Sequence, residues 1–307
     1  MITTVCANPS FDKTATVERL QTGGLNRLQS VRYDVGGKGL NVAVVLRRMG
    51  VDAACVGCVG EADEREFMAM VRREGIDFRT LRLPGNTRTN LKILDLASKA
   101  VTEFNEPGPA MEEKQLSALI DLLTAEAAGS RFVVFGGRLP PGCADDTYSR
   151  CMAAVRGADC VLDAAGAALR LGLAEKPYLV KPNLPELEEL MKRELKTLRA
   201  IRDAALELAG MGARNVLVSM GRFGAVYTDG RRALYAPAVQ VEARSTVGAG
   251  DAMVGGVLAA LAGGEPWETA LRYGVAAGCA SVMTDGTQLL RVADFEALLP
   301  KVAVQEL

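Results

Sequence analysis

With 307 residues, 49% apolar and 24% charged, the chain can bury a large core, as one big α/β domain or as one domain with an appendage, and its class is globular. A net charge of −1 gives no electrostatic reason to expect nucleic acid or an anionic membrane as a partner, so any anion binding must be local. There is no histidine, and acid or base chemistry falls to a carboxylate, lysine, cysteine or tyrosine.

Residues 1–9 carry no basic stretch ahead of a long apolar core, and nowhere do eighteen apolar residues run together, so a soluble cytoplasmic protein is expected. Seven cysteines, odd in number and scattered through apolar segments, fit a reducing compartment.

Apolar runs of strand length fall at 2–6, 53–59, 132–135, 160–162, 178–180 and 216–218. Helix-length amphipathic segments lie between them at 39–49, 64–74, 112–127, 145–155 and 200–211. That alternation predicts an α/β fold, a mostly parallel sheet covered by helices on both faces. Cys55 and Cys58 have the spacing of a redox or zinc pair, but no histidine or second close cysteine pair could complete a zinc site. Residues three apart in a strand face opposite ways, so both are expected in the core.

Residues 14–34 and 88–105, the latter with a Leu91-Lys92-Ile93-Leu94-Asp95-Leu96 alternation, read as period-two strands without intervening helices. No repeat, low-complexity segment or linker is evident. We therefore expect one domain over 1–307, with strands within about 12–35 and 88–105 forming a small lid over the edge where open α/β sheets bind ligands. Such strands leave an apolar face that one subunit can hardly cover, and a homodimer pairing two lids is the expected solution.

Two glycine-rich helix starts stand out. Gly248-Ala249-Gly250-Asp251 runs into the apolar segment 252–261, and Gly36-Gly37-Lys38-Gly39-Leu40-Asn41 into 42–45. Bare amides at a new helix, with the positive end of its dipole, form an anion site, and two of them suggest two phosphate-bearing ligands facing each other. A capping carboxylate at Asp251 and a flexible turn at 36–39 are the plainer readings. Neither segment is a Walker loop or a GxGxxG fingerprint.

Together with these two segments, Asn8-Pro9-Ser10-Phe11-Asp12, Gly85-Asn86-Thr87-Arg88-Thr89-Asn90, Leu139-Pro140-Pro141-Gly142, Lys181-Pro182-Asn183-Leu184-Pro185-Glu186 and Ser219-Met220-Gly221-Arg222-Phe223-Gly224 resemble, in order and over essentially the whole chain, the ribokinase-like PfkB sugar kinases. The resemblance implies a three-layer α/β/α sandwich with a β-strand lid. Lys38, Arg88 with Asn90, and Thr102-Glu103-Phe104-Asn105 resemble the branch acting on sugar phosphates, the 1-phosphofructokinases and tagatose-6-phosphate kinases, and sit nearer the former. Gly136-Gly137-Arg138 departs from the SGS that the family often carries before LPPG, which makes Arg138 either an additional phosphate clamp or a solvated loop arginine. Ala252 replaces a common hydroxyl residue.

The implied reaction is ATP-dependent phosphorylation of a ketohexose phosphate, most closely fructose 1-phosphate, with ATP and Mg²⁺ required; the alternatives are tagatose 6-phosphate, a free sugar or nucleoside as substrate on the same fold, and a non-catalytic sugar-phosphate-binding protein. Asp251 would be the general base, and the amides of Gly248, Ala249 and Gly250 would hold the γ-phosphoryl oxygens. By resemblance, Asp12 and Asn41 bind sugar hydroxyls beside Gly37 and Asn90, and Lys38 and Arg88 bind the substrate's phosphate, joined by Arg138 where that residue is a clamp and not a solvated loop arginine. Asn183 and Glu186, three apart at a helix opening, would hold Mg²⁺ or its waters. Lys181, Ser219, Gly221 and Gly224 would line the nucleotide phosphates. The adenine wall has no clear signature. The segment 267–283, rich in small residues such as Ala276, Ala277, Gly278 and Ala280, suits either that wall or close packing on the sheet.

Overall fold

The computed structural model describes residues 1–155 and 157–307. Its strands are β1 (Ile2–Cys6), β2 (Ser10–Val17), β3 (Ser30–Gly36), β4 (Ala53–Gly60), β5 (Asp77–Leu83), β6 (Arg88–Asp95), β7 (Val101–Asn105), β8 (Phe132–Gly136), β9 (Asp159–Asp163), β10 (Leu179–Val180), β11 (Val216–Ser219), β12 (Ala225–Thr228), β13 (Ala233–Ala236) and β14 (Gln305–Glu306). The helices are α1 (Lys38–Arg48), α2 (Glu64–Arg73), α3 (Glu113–Glu126), α4 (Thr147–Ala154), α5 (Gly166–Gly172), α6 (Leu184–Met191), α7 (Leu198–Gly210), α8 (Ala249–Ala262), α9 (Trp267–Val282) and α10 (Val292–Leu298). No helix among the described residues is long and apolar enough to cross a membrane.

The main sheet runs β14-β13-β12-β11-β10-β9-β8-β1-β4-β5. From β11 to β5 every pairing is parallel, and β12, β13 and β14 close one edge antiparallel. Strands β1, β4 and β8 are buried at every position, as parallel strands covered on both faces are, which is why they read as largely apolar runs, interrupted in β1 by the buried Thr3 and Thr4. Helices α1, α2, α8, α9 and α10 pack on one face and α3 to α7 on the other. Cys55 belongs to the first of these cores and Cys58 to the second, so the two thiols face opposite ways.

The predicted strands and helices of the main layers all form, with ends shifted by a residue or two. Four strands went unread. β5 has alternating burial on a partly exposed edge, and β12, β13 and β14 are too short to carry a period of their own.

A second, four-stranded sheet is ordered β3-β2-β6-β7, with β2 parallel to β6 and both outer pairs antiparallel. It contains the two segments read as lid strands. Val31, Tyr33, Val101 and Phe104 are exposed on it.

Helix α8 is seated by close approach. A β-carbon at Gly255 would lie 2.5 Å from Val45 Cγ1 of α1, and one at Gly256 would lie 2.6 Å from the Tyr273 carbonyl oxygen of α9. Gly256→Ala is therefore expected to lower stability by about 1–3 kcal/mol through overpacking, although alanine is the better helix former by about 1 kcal/mol. A melting temperature equal to or above the parent's would show that α8 and α9 part without cost.

Candidate active site

The parallel strands end at one edge of the sheet, where Gly136, Lys181 and Ser219 follow or close β8, β10 and β11. The lid lies over this edge, and between them is a cleft of about 850 Å³. Its walls include Asp12, Arg88 and Asn90 from the lid and residues 248–251 from the start of α8.

Gly248 adopts φ +78° at the head of α8, and no side chain caps the helix. The Ala252 amide is bonded to the Gly248 carbonyl at 2.8 Å, so the amides of Ala249, Gly250 and Asp251 precede the helix's own ladder, the first of them in a long 3.4 Å bond to the Thr246 carbonyl. Asp251 is buried, and its Oδ2 accepts from Asn41 Nδ2 at 2.7 Å. Burial pushes its carboxyl up to about 6; Lys38 opposes the shift and the Asp163 carboxylate adds to it. This is the range a base needs for work near neutrality.

Asn41 and Lys38 both belong to the first turn of α1, whose head is also uncapped. Gly37 there has φ +120°, and a β-carbon would meet Cys6 Sγ at 2.5 Å, so only glycine permits this entry. Lys38 Nζ donates to Asp163 Oδ1 at 2.8 Å, and Lys181 Nζ contacts the same oxygen at 3.2 Å. Burial disfavours the Lys38 charge, but the carboxylates of Asp163, Asp251 and Glu186 outweigh it and hold its pKa above the ordinary value. Burial likewise works against the Asp163 charge, and the two lysines overcome it, leaving the pKa low. Asp163 Oδ2 is buried without a hydrogen-bond partner.

On the lid side Asp12 is held from every direction. Ser10 Oγ and Asn90 Nδ2 donate to its Oδ1 at 2.8 and 3.0 Å, and Lys92 Nζ donates to its Oδ2 at 2.8 Å. Arg88 is buried, with Nε bonded to the carbonyls of Asn8 and Pro9. Burial lowers its pKa. Cys6 and Asp12 resist that shift and the Arg138 guanidinium reinforces it, so the two arginines feel each other. Arg138 itself is exposed on the cleft wall.

On the opposite side, Lys181, Asn183, Ser219, Gly221 and Gly224 all line the cleft. Glu186 does not. Its carboxylate accepts from the Asn183 amide at 2.8 Å while Asn183 Oδ1 accepts from the Glu186 amide at 2.9 Å, a reciprocal capping box at the head of α6. Its charge nonetheless reaches Lys38. Of the small residues in α9, Gly278 faces the cleft beside Cys279 and Val282, while Ala276, Ala277 and Ala280 are core.

A model of the pfkB family of carbohydrate kinases matches residues 7–293. The chain belongs to that family. It is 40% identical over 260 residues to 1-phosphofructokinase of Rhodobacter capsulatus, across 84% of this chain and 82% of that one. The crystal structure of phosphofructokinase-2 from Escherichia coli in complex with substrates and products matches with a TM-score of 0.92, at 32% identity and over 98% of each chain. Ribokinase from Thermotoga maritima, 22% identical, matches with a TM-score of 0.80 over 98% of this chain and 99% of that one, so the fold is ribokinase-like.

Two charged residues of this pfkB-family kinase escaped the sequence reading, Asp163 and Lys92. Asp163 ends a parallel strand that is apolar from Cys160 to Leu162, and a carboxylate at that edge was the available signal. Lys92 sits in the lid alternation, where a lysine ordinarily marks a solvated face, yet it is buried.

In carboxyl ¹³C NMR of this pfkB kinase without ligands, one carboxyl is expected to titrate near pH 6. Asp251→Asn should remove that signal. Carboxyls titrating only in the ordinary range of about 3 to 5 would overturn the account of the site.

Proposed function

We propose that this kinase transfers the γ-phosphoryl group of ATP to fructose 1-phosphate, giving fructose 1,6-bisphosphate, with Asp251 as the general base. The observation that carries the reading is the buried Asp251 carboxyl, raised to about 6 beside an uncapped helix start, in a cleft lined by buried cations. The names of the relatives support the substrate class.

Phosphoryl transfer demands alignment and charge balance more than covalent help. Asp251 takes the proton of the attacking hydroxyl, and the amides of Ala249 and Gly250, with Gly248 holding the turn open, meet the equatorial oxygens. Asp12, fixed by Ser10, Asn90 and Lys92, accepts from a sugar hydroxyl, as does Asn41 through its remaining capacity. Arg88 and Arg138, adjacent guanidiniums without a carboxylate partner among the described residues, bind the phosphate already on the sugar. Lys38 is read from the sequence as a third ligand of that phosphate. Its pairing with Asp163 beside Lys181 and Asp251 better supports contact with the group in transfer.

The triphosphate runs past Lys181, Asn183, Ser219, Gly221 and Gly224, and the adenine lies against the apolar wall formed by Val239, Val241, Val275 and Val282. Mg²⁺ keeps much of its own water and is held by one or two carboxylates together with substrate phosphates, so no protein cage is required. The unpartnered Asp163 Oδ2 and the nearby Glu186 charge suit such an ion, with Asn183 and Glu186 reaching it through water. When bound, it neutralises charge on the β- and γ-phosphates.

The chain acts as a single kinase unit over 1–307 and pairs as a homodimer through the lids, covering Val31, Tyr33, Val101 and Phe104. Light scattering at micromolar concentration is expected to give twice the chain mass; a fully active monomer would refute the pairing.

A coupled ADP-release assay should favour fructose 1-phosphate over fructose 6-phosphate, tagatose 6-phosphate and free fructose; preference for another of these reassigns the substrate. Asp251→Asn should lower kcat by about 10² to 10⁴, and the fold should hold because asparagine keeps the side chain's shape and an oxygen able to accept from Asn41. Retention of most of the parent kcat would exclude Asp251 as the base. Arg88→Met is expected to cost about 1.5–3 kcal/mol of sugar-phosphate binding, read as a raised KM for that substrate with the ATP KM nearly unchanged. Loss confined to ATP affinity would reverse the assignment of the two ends.

A further inference from the structure

The floor under Gly248 is an unusual one. Leu289 is buried and holds φ +56°, in the left-handed region that branched, bulky side chains avoid. Its Cδ2 lies 2.7 Å from where a β-carbon on Gly248 would stand, so the leucine fills the space directly beneath the turn that heads α8. Backbone held in a sparsely populated region persists only where its surroundings enforce it.

The enforcement comes from the far end of α1. Arg48 Nη1 donates to the carbonyl oxygens of Gln288 and Leu290, at 2.6 and 3.1 Å, one on each side of Leu289. Its Nη2 donates to Glu74 Oε2 at 2.6 Å, which aims the guanidinium. On the lid side of the same loop, Thr287 Oγ1 donates to Asp34 Oδ2 at 3.4 Å. Helix α1 therefore bears on the proposed reaction centre from both ends, directly at its start and through the 288–290 loop at its end. At its start Asn41 holds the Asp251 carboxylate, and at its end Arg48 holds the loop that props Gly248.

We infer that Arg48 is a positioning residue for phosphoryl transfer: by clamping the 288 and 290 carbonyls it keeps Leu289 against Gly248, and so sets where the amides of Ala249 and Gly250 point. This rests on the reading of those amides as the γ-phosphoryl site. An arginine suits the task because its planar fork bonds two carbonyls and a carboxylate at once. A lysine, as a point donor, would hold the loop less rigidly.

The test compares kcat, both KM values and the melting temperature for Arg48→Ala, Arg48→Lys, Leu289→Ala and Glu74→Gln, with Asp251→Asn measured alongside. Positioning predicts that Arg48→Ala and Leu289→Ala lower kcat by about 10- to 100-fold while the KM for the sugar phosphate stays within about twofold of the parent. Arg48→Lys should recover part of that loss, and Glu74→Gln, which leaves both carbonyl bonds in place, should keep kcat close to the parent's. A lower melting temperature with kcat preserved in Arg48→Ala would make the clamp structural only and overturn the inference. If Arg48→Ala does not fold, Leu289→Ala and Arg48→Lys decide by the same split between kcat and KM. An active Asp251→Asn would overturn the underlying reading of α8 and this inference with it; an inactive Asp251→Asn beside a fully active Arg48→Ala would overturn this inference alone.

Discussion

One buried carboxylate governs the charge balance of the cleft. Asp163 is fully enclosed, and its Oδ1 takes both Lys38 and Lys181. A buried carboxylate left without any counter-charge would cost about 3–5 kcal/mol, and two ammoniums share the task here, Lys181 buried and Lys38 about one-third exposed. Their combined field reaches Asp251. The two lysines lower its pKa and Asp163 raises it, against a background of desolvation that raises it most. Two cations thus face two carboxylates, and in the proposed reaction protonation of Asp251 gives the cluster one further net positive charge just as negative charge develops on the group in transfer.

The same economy operates in the lid. Asp12 and Lys92 form a second buried pair, with Ser10 and Asn90 completing the carboxylate's bonds. These residues come from adjacent strands in fixed register, Asp12 opposite Asn90. Because side chains alternate faces along a strand, a one-residue slip of β6 would turn Asn90 and Lys92 away from Asp12. The lid therefore carries these polar groups in a fixed register.

Glycine decides how closely the parts can meet. Helices α1, α8 and α9 approach at Gly255, Gly256 and Gly274, where any β-carbon would fall within 2.6 Å of a neighbour. That packing fixes the uncapped ends of α1 and α8 relative to each other. Asn41 and Asp251, 210 residues apart in the chain, can then share a 2.7 Å hydrogen bond. Backbone amides at a helix start are useful to a ligand only if the helix itself cannot retreat, and close packing supplies that constraint.

Much of this was legible in the sequence because it is local. Strands buried on both faces are largely apolar, and glycine at a helix start leaves amides bare, so β1, β4 and β8 and the entries at 36–39 and 248–251 could be read from the residues themselves. The cysteines of β4 could be assigned to opposite faces from the two-residue period alone. What lay beyond reach depends on partners distant in the chain. Lys92 is a surface residue by type and becomes buried only because Asp12 waits for it across the sheet. Asp163 looks like the polar end of a strand until two lysines converge on it. Glu186 carries the spacing of a capping box and of a metal ligand alike, and its bonds in the fold are those of the cap. The chain determines which groups are available and where each local element begins. Only tertiary structure decides which charges meet in the absence of water, and with that the pKa of Asp251, because the desolvation and Coulombic effects behind it come from segments brought together across the whole length of the chain.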